Sequence, residues 1–149
     1  MKILKTIIID SAPDKVRSVF LDLPSHAKWD PFFVLFESET SELKPGSKPK
    51  IQLKFKGDST VRTMTPVVLE NNEEKLQWKG TLFLEYLFTG THTFEFLPHE
   101  EDGKESTKFI QTEDFSGVLV YVLKWIGIFG KTEGSFEELN QALKKEVER

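Results

Sequence analysis

Two stretches of this sequence set polar groups among aromatic residues at the alternating spacing of a strand. Phe88, Gly90, His92, Phe94 and Phe96 share one parity, and Phe109, Gln111, Glu113 and Phe115 share another. A turn centred between Asp102 and Gly103 makes these the two arms of a hairpin. It pairs Phe96 with Phe109, Phe94 with Gln111, His92 with Glu113, and Gly90 with Phe115. Apolar partners fall together, which supports that register. An imidazole and a carboxyl then face each other on the inward side. Three uses are open to such a pair. It can be a buried polar pair that satisfies itself. It can meet the polar head of a ligand whose body lies among the Phe side chains. It can be a general acid and base whose pKa values are tuned by burial and pairing.

Other residue types offer less chemistry. Trp29 and Trp78 carry indole N–H groups that can reach a ligand or simply pack in the core. Arg62 falls on the polar parity of its strand. His26, His92 and His99 lie on different elements with no His-x-x-x-His pair, so no metal site is expected. His99 sits in the acidic turn His99-Glu100-Glu101-Asp102 and is expected in solvent. Gly-x-Ser-x-Gly and phosphate-loop patterns are missing, and no cofactor is expected.

Composition bounds these readings. A chain of 149 residues suits one domain, expected over 1–149, with a core that needs no staples. Thirteen Phe against two Tyr and three Trp favour an apolar core or cavity wall, because Phe needs no hydrogen-bond partner. With no cysteine there are no disulfides or thiolates, and a cytoplasmic location is expected. A net charge of -4 with dispersed basic residues argues against nucleic acid as a partner. The apolar runs at 6–9 and 117–129 fall short of the ~20 residues of a spanning helix, so no transmembrane span is expected.

The elements that must position the pair follow from periodicity. Residues 2–9 are β-branched and read as a strand; Ser11 can cap a helix that has Pro13 in its first turn. Residues 23–29 read as a second short helix stopped by Pro31. From Phe32 the period is two, with strands expected near 51–56, 61–69, 75–79, 81–97 (broken near Gly90) and 107–115. From about Val118 the chain reads as helix, with Val118, Val122, Trp125, Phe129, Phe136, Leu139, Leu143 and Val147 on one stripe. Gly127, Gly130 and Gly134 interrupt it and mark a bend or break. Leu119, Leu123 and Ile126 give its first half a second apolar side. That side suits a wider core face, a cavity mouth, a homodimer contact or a membrane surface.

The local residues resemble a known family. Ile9-Asp10-Ser11-Ala12-Pro13 with Val16 and Phe20 is similar to the strand-to-helix entry of the polyketide cyclase/dehydrase branch of the START-like (SRPBCC) superfamily. Trp29-Asp30-Pro31-Phe32 resembles its Trp-Asn-Pro-Phe element, with Asp30 in place of Asn. Gly90-Thr91-His92-Thr93-Phe94, the run from Gln111 to Gly117 and the run from Phe136 to Lys144 resemble later landmarks. The resemblance implies an α+β helix-grip fold: a curved antiparallel sheet of about seven strands around a long C-terminal helix, with two short helices after the first strand. It also implies an apolar cavity between sheet and helix for a hydrophobic, lipid-like or aromatic small molecule.

On this reading His92, Glu113 and Gln111 meet the polar part of the ligand. Phe94, Phe96, Phe109, Phe115 and Trp78 line the wall from the sheet side, Trp29 from the second short helix, and Val122, Trp125 and Phe129 from the last helix. A binding or carrier domain is the leading expectation. An aromatase/cyclase-type enzyme using His92 and Glu113 is the alternative, and a protein-interaction module is a third.

Overall fold

β1 (Lys2–Ile9) turns Ile3, Ile7 and Ile9 to one side, and that parity decides where the core lies. The structure is a computed structural model that describes residues 1–81 and 87–149. After β1 come α1 (Pro13–Phe20), a single 3₁₀ turn (Leu23–Ser25) and α2 (His26–Trp29). β2 (Phe33–Glu37), β3 (Lys50–Leu53) and β4 (Arg62–Met64) form one antiparallel sheet in that order. β5 (Val67–Asn71), β6 (Lys75–Thr81), β7 (Thr89–Glu101) and β8 (Lys104–Ser116) join β1 in a curved five-stranded sheet ordered β1-β8-β7-β6-β5. Two helices close the chain, α3 (Val120–Trp125) and α4 (Ile128–Glu148).

The described residues thus hold eight strands in two sheets, where the sequence suggests about seven in one. The difference arises at residues 61–69. Pro66 has no N–H for a ladder, and the run divides there. β4 pairs with β3 through Ile51 and Met64, whereas β5 pairs with β6 through Val68 and Trp78. The part of the expected strand that covers residues 82–86 lies outside the described residues. Ser11 does not cap α1. The cap residue is Ala12, and the Ser11 carbonyl instead accepts a hydrogen bond from Thr107 Oγ1 at 2.7 Å.

The last helix divides at Gly127. That residue takes a left-handed φ of 77°, which a side chain would make costly. It separates α3 from α4, so the apolar stripe does not run unbroken through both. Phe129, Phe136, Leu139, Leu143 and Val147 of α4 are buried, but Val118, Val122 and Trp125 face outward. α3 touches the core instead with Val120 and Leu123.

α4 is held against the five-stranded sheet by side chains of both kinds. Phe136 stacks on His92 with ring centroids 4.7 Å apart, and Lys5 of β1 bridges Glu133 and Glu137. None of the described helices is long and apolar enough to cross a membrane.

Candidate functional site

The β7–β8 hairpin turns at Asp102 (φ 52°) and Gly103 (φ 76°), two successive left-handed residues as a tight Asp-Gly hairpin turn requires. That turn sets the register read from the sequence: His92 opposite Glu113, Phe94 opposite Gln111, Phe96 opposite Phe109, Gly90 opposite Phe115. His92, Gln111 and Phe94 are buried, and Glu113 keeps only 14% of its side chain exposed. β7 and β8 are inner strands of the five-stranded sheet, so β6 and β1 pair with their outer edges, and Phe136 of α4 covers the face that carries His92.

A chain of polar groups runs from this hairpin to α4. The Gln111 amide nitrogen donates to the Phe136 carbonyl (3.1 Å) and to Asn140 Oδ1 (2.5 Å). Its oxygen therefore points at His92 Nε2, 3.0 Å away, and that nitrogen must carry the proton. His92 Nδ1 is left with a lone pair, which faces Glu113 Oε2 at 3.2 Å. The approach is close but not aligned as a hydrogen bond, and Glu113 Oε2 has no hydrogen-bond partner.

Burial decides the protonation of both groups. It lowers the His92 pKa to about 3, against a smaller upward push from Gln111. It raises that of Glu113 to about 8, helped by the negative charge of Asp114. At neutral pH both are uncharged, which avoids burying separated ions among aromatic rings. Glu113 is then a carboxylic acid with a proton to donate.

The surroundings are tighter than the sequence reading expects. His92 is stacked between Phe94 (4.0 Å) and Phe136 (4.7 Å), and Trp78 meets it edge-on at 5.7 Å. Phe96 and Phe109 pack with Phe20 of α1. Where an enclosed Phe-lined cavity was expected, the described residues place rings in contact. Two concavities that they do form, of about 730 and 330 Å³, lie elsewhere. The first is bordered by Lys28, Trp29, Pro31 and the end of α4, and the second by Arg17, Leu43 and Asn71. Among the described residues nine buried Phe fill the interior rather than framing a hole, because flat rings can close a gap face to edge.

Of the remaining expected wall residues, Phe115 and Phe129 meet at 4.7 Å on the α3 side of Glu113, and Phe115 is only partly buried. Trp29 is set apart from the pair, against His26 at 4.7 Å, with its indole N–H unpartnered. Val122 and Trp125 do not reach the interior, being 55% and 90% exposed, because Gly127 separates α3 from α4.

Sequence reasoning missed three buried polar residues. His26 bonds to Asp30 Oδ2 at 2.8 Å, and Asp30 Oδ1 accepts from the amides of Phe32 and Phe33. The i, i+4 spacing of His26 and Asp30 on a short helix was the available signal. Asn140 sits beside the apolar stripe, where nothing in the sequence marks it as Gln111's partner. Among the described residues no three His, Asp or Glu gather as a metal site needs.

The sequence pattern of the family described as "Polyketide cyclase / dehydrase and lipid transport" matches residues 1–148. No curated protein matches the chain in sequence. Among solved structures, the Zhui aromatase/cyclase of a Streptomyces species superposes with a TM-score of 0.76 at 14% identity, covering 100% of this chain and 94% of that one. A norcoclaurine synthase point mutant of Thalictrum flavum, in complex with a transition-state analogue, gives 0.70 at 15%, covering 99% and 93%. A START superfamily protein of Mycobacterium smegmatis gives 0.70 at 15%, covering 99% and 97%. At such identities the likeness is one of fold.

Proposed function

The chain belongs to the polyketide cyclase/dehydrase and lipid transport family, and from that premise we propose that it binds a hydrophobic small molecule whose polar group is met by Glu113 and His92. The observation that carries the reading is the orphan carboxyl oxygen. Glu113 Oε2 is buried without an aligned hydrogen bond at the end of a chain in which Gln111 is bonded to His92 Nε2, the Phe136 carbonyl and Asn140. A buried polar atom left unpaired costs roughly 1–3 kcal/mol, and a ligand acceptor or donor placed there removes that cost. The rings around His92 are in contact, so binding requires the interior to open. Phe115, Leu123 and Ile128 are only partly buried and offer one place where it can do so.

Native mass spectrometry of freshly purified protein, with titration by an apolar fluorescent probe such as anilinonaphthalene sulfonate, tests this. Saturable binding is expected, weakened about tenfold by Glu113→Ala, as the loss of one buried hydrogen bond implies. Glu113→Gln keeps a donor toward the same point and retains most of the affinity. No co-purified molecule and no saturable probe binding would end the proposal.

A second reading has its own observation. A carboxyl whose pKa is about 8 still holds its proton at neutral pH and can act as a general acid, with the neutral His92 imidazole beside it. This is the equipment for proton transfers on an aromatic or polyketide-like substrate. Glu113→Gln separates the readings, since it spares binding but abolishes turnover if the carboxyl moves a proton.

A further inference from the structure

The apolar side of α3 that faces away from the core is a feature left without a role. Val118, Tyr121, Val122, Trp125 and Ile126 recur at the spacing of a single helix face and are 63, 81, 55, 90 and 64% exposed. The opposite side of the same short helix already packs on the core through Val120 and Leu123. α3 is therefore held in place by one side and offers the other.

We infer that this face is a docking surface for an anionic phospholipid membrane. Three observations choose that occupant. The first is the residue types. Tyr121 and Trp125, the most exposed of the group, have apolar bodies with polar tips, which suit the boundary between headgroups and acyl chains. The second is charge. Residues 118–132 hold Lys124 and Lys131 and no Asp or Glu, within a chain whose net charge is -4. Lys131 is engaged with Asp58 at 3.0 Å, which leaves Lys124, at the edge of the apolar face, to reach a headgroup phosphate.

The third observation weighs against a second copy of the chain. A stable protein interface uses about 20–30 residues a side, and among the described residues this face offers five large apolar ones. A two-fold contact that pairs this face with itself would have no acid within 118–132 to answer Lys124. A bilayer needs no shape complement and accepts a patch of this size.

The inference stands apart from the proposed ligand site, since it concerns residues that do not reach the interior. Co-sedimentation with vesicles tests it, using phosphatidylcholine alone and phosphatidylcholine containing roughly one third phosphatidylglycerol. Binding to the anionic vesicles is expected to exceed binding to the neutral ones and to weaken with salt. Trp125→Ser and Tyr121→Ser are expected to lower it about tenfold or more, and Lys124→Glu to remove the preference for anionic lipid. Tryptophan emission should shift to the blue on binding in the native chain and not in Trp125→Ser. Because Trp125 is exposed, its melting curve serves as the control for folding. No association with anionic vesicles, or equal association of the variants, overturns the inference. So does a lipid-free dimer, seen by analytical ultracentrifugation, that Trp125→Ser dissolves.

Discussion

Glu113 depends on a residue that has no side chain. Gly90 lies two positions from His92 on the same face of β7, and a Cβ there would collide with Glu113 Oε1 and approach the Phe115 ring to 3.5 Å. The glycine thus makes the space in which the carboxyl sits beside the imidazole. Gly90→Ala is expected to push the carboxyl away from His92 and to destabilise the fold by about 1–3 kcal/mol, the usual cost of overpacking. The collision is with one side chain, so removing that side chain should relieve it. In a Glu113→Ala background the Gly90→Ala cost should fall by most of its value, a coupling that denaturant unfolding of the four proteins measures. Simple additivity of the two costs would mean that Gly90 serves the backbone rather than the carboxyl.

Glycines also decide what the last third of the chain becomes, and here one residue type has opposite effects at two positions. Gly127 holds a left-handed φ of 77° between α3 and α4, while Gly130 lies within α4 with open space where a Cβ would stand. Gly127→Ala is expected to destabilise the protein by about 1 kcal/mol. Gly130→Ala is expected to stabilise it by roughly 0.5–1 kcal/mol, through helix propensity. Denaturant midpoints that move in the same direction for both would contradict this assignment. The sequence shows that these glycines interrupt a stripe, but not which one breaks it, because the choice depends on how α4 meets the sheet. The hairpin was more legible: the Asp-Gly turn and period-two pairing fix its register locally, and His92 and Glu113 meet as read. The filling of the interior was not legible, since a Phe excess is compatible with a cavity wall and with rings packed against each other. The Gln111–Asn140 bond joins strand to helix across 29 positions, a separation at which no local pattern operates.

At the scale of the whole molecule, the buried pair makes stability depend on pH in a shape that can be worked out. Glu113 has a folded pKa of about 8 against an ordinary carboxyl value of 4.5, so between these the folded chain holds a proton that the unfolded chain has released. Its contribution is complete below 4.5 and is lost as pH rises through 8. His92 has a folded pKa of about 3 against 6.5, so between these the unfolded chain holds the extra proton. Its contribution is complete above 6.5 and is lost as pH falls through 3. From 4.5 to 6.5 the two slopes oppose and cancel. The pair therefore gives a plateau there, falling toward pH 8 through Glu113 and toward pH 3 through His92, each by at most about 1.4 kcal/mol per pH unit. Other groups titrate as well, so the difference from a variant is the informative curve. Glu113→Gln keeps a donor toward His92 Nδ1 and cannot ionise, so its stability relative to the native chain should rise between pH 6.5 and 8. Guanidinium unfolding of both proteins across that range measures the effect. A constant difference would mean that Glu113 is ionised in the fold, and His92 would then have to carry the compensating proton as a buried ion pair.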